Sequence, residues 1–282
     1  MNHPAELKLH QFMSDAIDGK TTFSEETAKR IGEEVAEAVI RQFGSGQSRK
    51  EFRLRMSNIG RPTCQLWFEK NKPESALPKP STFVMNMMIG DIVESVFKAI
   101  LKESNVAFED TDKVSLPVGD SNDTNVSGSY DLIIDGAVDD VKSASDWSYR
   151  NKFESFDILK SDDSFGYVGQ LAGYAKASDK KAGGWWVVNK ANGSIKYVPA
   201  DNLDMEAELE NIKQTVETVN ANDFKRCFEP EPEFYKRKPT GNMLRPKGCK
   251  FCDYRYECWP TLTEEPSRVS IAKEKPMVEY IN

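Results

Sequence analysis

Histidine is almost absent from this 282-residue chain: there are two, His3 and His10, both near the N-terminus. Both lie far in sequence from any site in the middle of the chain. Long apolar runs are missing too. None approaches the roughly 20 residues that a bilayer-spanning helix needs, and Met1 to His10 carry no apolar core of a secretory leader. The expectation is a protein without membrane contact that stays inside a cell, where thiols are mostly reduced. There is no internal repeat and no low-complexity tract. An excess of positive charge is also lacking, since the net charge is −7. That total does not point to nucleic acid, although binding follows the local distribution of charge rather than the sum.

What is there fits one large domain or one domain with appendages, long enough to bury a core without disulfide staples. Five cysteines are present, and three of them (Cys249, Cys252 and Cys258) crowd into ten residues. In a reducing compartment that crowding reads as metal or cluster binding. Between Phe234 and Lys250 stand Lys236, Arg237, Lys238, Arg245, Lys247 and Lys250 with no acid among them. Arg49, Lys50, Arg53 and Arg55 make a second basic stretch. Each taken alone fits a solvated face or loop.

Helices are expected over 5–18 and 24–43, the second with Thr22 or Ser24 as its cap and Gly44 past its end. A polar linker follows at 45–50, and 51–70 lead into a short helix with Cys64, Leu66, Trp67 and Phe68. A long helix is expected over 82–103. Ile89, Ile92, Val93, Val96, Phe97 and Ile100 recur at helical spacing there, while Glu94 falls among apolar and small residues. Strands are expected at 105–109, 113–118, 125–134 and 137–143, and a helix at 163–178. A hairpin over 184–199 turning at Asn192-Gly193 and an acidic helix over 201–223 follow. Then come a basic loop, the cysteines, and a poorly ordered tail from Thr261.

The most informative stretch runs from Gly128 to Lys142. Asp135-Gly136 between two β-prone runs is a two-residue hairpin signal. The turn sets a register: Ile134 faces Ala137, Ile133 faces Val138, Leu132 faces Asp139, Asp131 faces Asp140 and Ser129 faces Lys142. Side chains alternate along a strand, so Asp131, Asp140 and Lys142 share one face, and Asp135 and Asp139 are expected to face water. Two carboxylates placed opposite each other repel, and a hard divalent cation removes that cost. As a bare pair the acids fit a solvated hairpin as well as a metal site. Lys142 on the same face favours the site.

Asp131 followed by Asp140-Val141-Lys142 resembles the split signature of the PD-(D/E)xK phosphodiesterases. Glu94, in Gly90-Asp-Ile-Val-Glu94, lies where that family places an upstream acid. Gln170-Leu-Ala-Gly-Tyr174 is similar to the QxxxY motif of the RecB-like branch, with Gln170 and Tyr174 one helical turn apart. The resemblance implies that Asp131, Asp140, Glu94 and the Val141 carbonyl hold Mg²⁺ or Mn²⁺. It implies that Lys142 positions or activates the attacking water and offsets transition-state charge. Gln170 then orients the nucleophile or the DNA, and Tyr174 packs or contacts DNA. One departure stands out: RecB-like members often carry histidine where this chain has Glu94.

Cys249-x2-Cys252-x5-Cys258 can converge on one centre, and Cys64 is the candidate fourth ligand. One cysteine before the motifs and three after resembles the iron–sulfur nucleases of the AddB type and of CRISPR adaptation, which implies a 4Fe-4S cluster. Spacing alone fits a structural Zn²⁺ equally well. Cys227 has no evident partner and reads as packing.

The expected architecture is α/β: a restriction-endonuclease-like core with a mixed central sheet flanked by helices, an N-terminal helical segment (1–48), a nuclease domain closed by four cysteines (49–260) and a flexible tail (261–282). The expected activity is metal-dependent DNA hydrolysis, as an exonuclease on DNA ends in replication, recombination or repair. The setting is the cytoplasm of a bacterium or a phage-infected host, beside a possible recombination or replication partner protein. Lys236, Arg237, Lys238, Arg245 and Lys247, with Phe234, Tyr235, Phe251, Tyr254, Tyr256 and Trp259 nearby, are the candidate DNA-tracking residues. An inactive DNA-binding protein and a zinc-stabilised interaction module are the alternatives.

Overall fold

The structure is a computed structural model describing residues 3–44, 51–119 and 124–282. Linker 45–50, with Arg49 and Lys50, lies outside the described residues. The chain forms two compact units. The larger joins Met1–Gly60 to Lys79–Val216, and the smaller joins Arg61–Pro78 to Glu217–Asn282. Among the described residues no helix is long and apolar enough to cross a membrane.

The larger unit is mixed α/β. Its five strands, β1 (Glu109–Val118), β2 (Thr124–Ile134), β3 (Ala137–Ala144), β4 (Lys181–Asn189) and β5 (Ile195–Pro199), lie in that order across one sheet. All neighbours are antiparallel except β3 and β4, which run parallel. A parallel pair needs a crossover. Here it is made by a π-helical turn (Ser148–Lys152), α5 (Phe156–Ser161) and α6 (Tyr167–Ser178). The strand expected at 105–109 is not formed: Asn105 lies in a turn after α4 with φ 54°, 106–108 are irregular, and β1 begins at Glu109.

The N-terminal helices belong to this unit and are not a separate segment. α1 (Pro4–Ile17) sends Ala5 and Leu9 into one core cluster with Phe97 and Leu101 of α4 (Thr82–Glu103), Leu132 and Ile134 of β2, Val141 and Trp186. Burying a large apolar side chain such as Leu9 contributes about 1.5–3 kcal/mol, so α1 is part of what holds the sheet. α2 (Glu25–Phe43) packs along α4. Its cap is Ser24, whose Oγ accepts the Thr27 N–H at 3.2 Å and donates to Glu103 Oε1 of α4 at 2.8 Å.

The smaller unit contains α3 (Thr63–Asn71), α8 (Arg255–Cys258) and an antiparallel sheet in the order β6-β7-β9-β8. The strands are β6 (Glu231–Tyr235), β7 (Lys238–Leu244), β8 (Leu262–Pro266) and β9 (Met277–Ile281). The intervening helix α7 (Met205–Ala221) spans the division between the units. Two expectations are corrected here. The basic loop is a β6–β7 hairpin, with Lys236 and Arg237 at its turn (φ 47° and 66°). The tail from 261 is ordered as β8 and β9, and Tyr280 of β9 is wholly buried. Tyr280 donates its hydroxyl to Glu233 Oε1 at 2.9 Å, a buried acid that also accepts from Asn242 Nδ2 and Thr240 Oγ1.

Candidate active site and thiol cluster

The turn at Asp135-Gly136 forms as its chemistry requires. Both residues have positive φ (50° and 76°), the backbone of a type I′ turn. Ile134 pairs with Ala137, Ile133 with Val138, and Leu132 with Asp139. The ladder then stops. Asp131 does not pair with Asp140, nor Ser129 with Lys142, and beyond Asp139 β3 stays paired with β4 alone. Asp140 pairs with Trp185 of β4, Val141 with Trp186 and Lys142 with Val187.

Where the strands part, side chains fill the gap. Asp131 Oδ2 accepts the Val141 N–H at 2.7 Å, replacing the lost strand bond. Asp140 is 3% exposed, and its Oδ2 lies 2.6 Å from Lys142 Nζ. That ammonium meets the buried oxygen, which takes no further hydrogen bond among the described residues. Burial, and then Asp140, push the Asp131 carboxyl up to about 7. Burial also raises Asp140, against the pull of Lys142. For Lys142, burial acts to lower its pKa, but Asp140 and Asp131 outweigh it and hold the ammonium charged.

Glu94 of α4 is raised by burial and by Asp131, opposed by Lys98 one turn on. Lys98 was not anticipated from the sequence. It is buried, paired with Glu94 Oε1 at 2.7 Å and Asp110 Oδ1 at 3.0 Å. It also donates to Thr111 Oγ1, which in turn donates to the Asp131 carbonyl at 3.0 Å. Glu94 is thus tied to the strand that carries Asp131. Its i,i+4 spacing to Lys98 was the available signal.

Gln170 Nε2 donates to Tyr174 Oη at 3.2 Å on α6, as one-face placement requires. Tyr174 is buried, with its hydroxyl pushed up to about 12, mainly by burial. Its ring approaches so closely that a Cβ on Gly128 of β2 would stand 2.8 Å from Cε1. The expectation that it packs is met, and its burial leaves no ring face for DNA. Tyr167, at the start of α6, carries Lys142 Nζ over its ring at 4.8 Å.

Asp139 corrects an expectation. It is not a water-facing acid but 1% exposed. It accepts from the Gly184 N–H at 2.8 Å, Trp186 Nε1 at 3.1 Å and Tyr197 Oη at 2.9 Å. Burial still pushes its carboxyl up to about 7 against these donors. Alternation placed it opposite Asp140 but did not show that its face is covered.

In the smaller unit Cys64, Cys249 and Cys258 are buried, Cys252 is partly buried and Cys227 is exposed; none forms a disulfide. Cys227 is not packing. Its Sγ accepts the Cys64 N–H at 3.2 Å and stands 3.3 Å from Thr63 Oγ1. A hydrogen bond between the two thiols raises Cys64 and lowers Cys227. Cys252 feels both Cys249 and Cys258, and Cys258 acts on Cys64. All five thiols are therefore electrostatic neighbours. No spacing pattern linked Cys227 to the rest. Among the described residues, no group of three cysteine, histidine or acidic side chains stands as a closed metal cage, here or around Asp140.

The basic residues divide. Arg245 donates to Glu279 and to the Pro246 carbonyl, so it is a structural ion pair and not a free DNA contact. Lys247 is exposed, 4.0 Å from Glu231. Lys236, Arg237 and Lys238 are exposed at the hairpin turn. Tyr254 and Trp259 are buried around Phe68 and Cys258, whereas Phe234, Tyr235 and Phe251 are exposed.

No protein-family model matches the chain. No curated protein matches it. Among solved structures the chain is similar to "Crystal structure of SSO0001", at 13% identity and a TM-score of 0.43, over 90% of this chain and 98% of that one. At that level the likeness carries no argument about activity.

Proposed function

We propose that this chain is a metal-dependent deoxyribonuclease of the PD-(D/E)xK type, RecB-like branch, with a restriction-endonuclease-like core in its larger unit. One observation carries the reading: the buried Asp140, the half-buried Asp131 and Lys142 meet where β2 and β3 part, and one Asp140 oxygen is met by the Lys142 ammonium alone. A structural acid is satisfied by donors, as Asp139 is. Carboxylates held above the ordinary range by burial, with Asp140 raising Asp131 and Glu94 raising Asp140, fit a divalent cation site. Asp131, Asp140, Glu94 and the Val141 carbonyl would hold Mg²⁺ or Mn²⁺. When bound, such an ion supplies Lewis-acid charge and a water of lowered pKa.

The chain's own groups do the rest. Lys142 keeps its proton and offers positive charge to a phosphodiester oxygen beside Asp140. Tyr167 fixes the direction of that ammonium, and Tyr174 holds Gln170 for contact with the nucleophile or the strand. Lys98 holds Glu94 in place. Action on DNA ends, a role in replication, recombination or repair, and a bacterial or phage-infected cytoplasm rest on the resemblance alone. The exposed Lys236, Arg237, Lys238 and Lys247 remain the backbone-tracking candidates of the smaller unit.

Cys64, Cys249, Cys252 and Cys258 fit a 4Fe-4S cluster or a structural Zn²⁺, both of which take four thiolates. Cys227 is near enough to Cys64 to compete for that role. Iron, sulfide and zinc analysis of anaerobically purified protein separates the two. Absorbance near 400 nm lost in Cys249→Ser supports iron.

The test of the reaction is digestion of end-labelled linear DNA with Mn²⁺ or Mg²⁺, beside Asp140→Ala and Lys142→Ala. Metal-dependent loss of label that disappears in both variants supports the reading, and closed circles then report end-dependence. No digestion of linear, circular or single-stranded DNA by folded protein refutes it.

A further inference from the structure

Lys152 is the buried cation of the larger unit that the proposed reaction does not use. It ends the π-helical turn after β3 and is 8% exposed. Its ammonium lies over two rings, Phe165 at 4.9 Å and Tyr167 at 5.0 Å. Among the described residues no carboxylate comes within ion-pairing distance of it. The nearest acids act from farther off, and the Asp163 oxygens are already taken by the N–H groups of Tyr167 and Val168, at 2.9 and 2.8 Å. Burial holds the Lys152 ammonium below the ordinary lysine range, with Asp163 and Asp162 opposing. Lys98 makes the contrast, since it is equally buried but paired with two carboxylates.

An ammonium partly withdrawn from water and left unpaired is costly. Ring faces return less than a partner anion does. Tyr167 also carries Lys142, so one ring joins the two ammonium groups and keeps them within about 10 Å of each other. Phosphates along one strand of a duplex recur roughly every 3.4 Å of axis, so a strand placed at Lys142 brings further phosphates within reach of Lys152. Phe165, stacked on Tyr167 with centroids 5.7 Å apart, is 44% exposed. An exposed ring beside a phosphate-binding cation is the combination that holds single strands.

We propose that Lys152 is a second phosphate anchor, binding a phosphate of single-stranded DNA next to the one placed at Lys142, with the Phe165 ring beside it for a base. This rests on the nuclease reading and adds the strand contact. Lys152 is here a positioning residue, not a catalytic one.

The test is anisotropy of fluorescein-labelled dT20 in EDTA, where hydrolysis is off, across a salt series. Lys152→Met is expected to weaken binding roughly tenfold at low salt. It should also reduce the slope of log affinity against log salt by about 0.7, the value of one single-strand phosphate contact. Lys152→Arg should restore the slope, and neither change should lower the melting temperature in proportion to the binding loss. In the digestion assay Lys152→Met should raise KM and leave kcat nearly unchanged. Lys152→Gln replaces the Met variant if that one misfolds. Binding by the wild type with an unchanged slope in the variants overturns this inference alone. A folded wild type that binds no dT20 and digests no DNA overturns the nuclease reading with it.

Discussion

Carboxylates are buried or half-buried in both units of this protein, and the two units treat them in opposite ways. In the smaller unit Glu279 accepts from Arg245 and from Arg255 Nε at 2.7 Å, while Glu233 accepts from Asn242, Thr240 and Tyr280. Burial acts to raise both, yet the donors win and hold both below the ordinary range. In the larger unit Asp131, Asp140 and Glu94 are raised, because burial and mutual repulsion exceed what Lys142, Lys98 and one backbone N–H return. Where donors suffice, a buried acid holds strands together. Where they do not, the acid is kept ready for a cation the chain does not supply. Asp139 lies between these cases, with three donors and a carboxyl still pushed up to about 7.

The largest effect expected from this contrast is on cleavage. Asp140→Asn should reduce metal-dependent digestion by roughly 10²–10³-fold, and Mn²⁺ should raise the melting temperature of the wild type but not of the variant. Glu279→Gln makes the opposite break. It leaves Arg245 and Arg255 without their anion and should cost about 3 kcal/mol in chemical denaturation, with the Mn²⁺ response of the larger unit retained. A variant that loses that response as well removes the distinction between the two kinds of acid.

The pH response sharpens the same point. Asp131 and Asp139 sit at about 7, above the unfolded value near 3.9, so the folded state binds their protons more tightly. Their contribution is complete below about pH 4 and is lost as pH rises through 7. Glu233 and Glu279, being lowered, contribute with the opposite sign and lose their effect in acid. Metal-free protein should therefore lose melting temperature between about pH 4 and 7. Asp131→Asn or saturating Mn²⁺ should flatten that fall, and an unchanged slope in both would count against the assignment. The smallest effect is for Tyr197→Phe, which removes one donor from Asp139. It should cost about 1 kcal/mol and leave digestion within twofold of wild type.

Much of the candidate site was legible in short stretches. Asp135-Gly136 specified a turn whose φ values few other residue pairs accept, and the turn set the register as far as Leu132–Asp139. Spacing put Gln170 beside Tyr174 and Glu94 on α4. What was missed lay in pairings between distant segments: Lys98 reaching Asp110, Cys227 meeting Cys64, and β9 closing a sheet where a loose tail was expected.

By itself the sequence determined the local geometry, because caps, turns and side-chain alternation depend on residues a few positions apart. Only the tertiary structure decided that β3 runs parallel to β4 along its length and parts from β2 after Asp139, since no contiguous stretch encodes a partner that lies some forty residues on. That departure stops the Asp131–Asp140 pairing and turns Asp131 onto the Val141 N–H. It also assigns two neighbouring aspartates to different tasks. Asp139 is closed over by the Gly184 N–H, Trp186 and Tyr197, and Asp140 is left with one oxygen met by Lys142 alone.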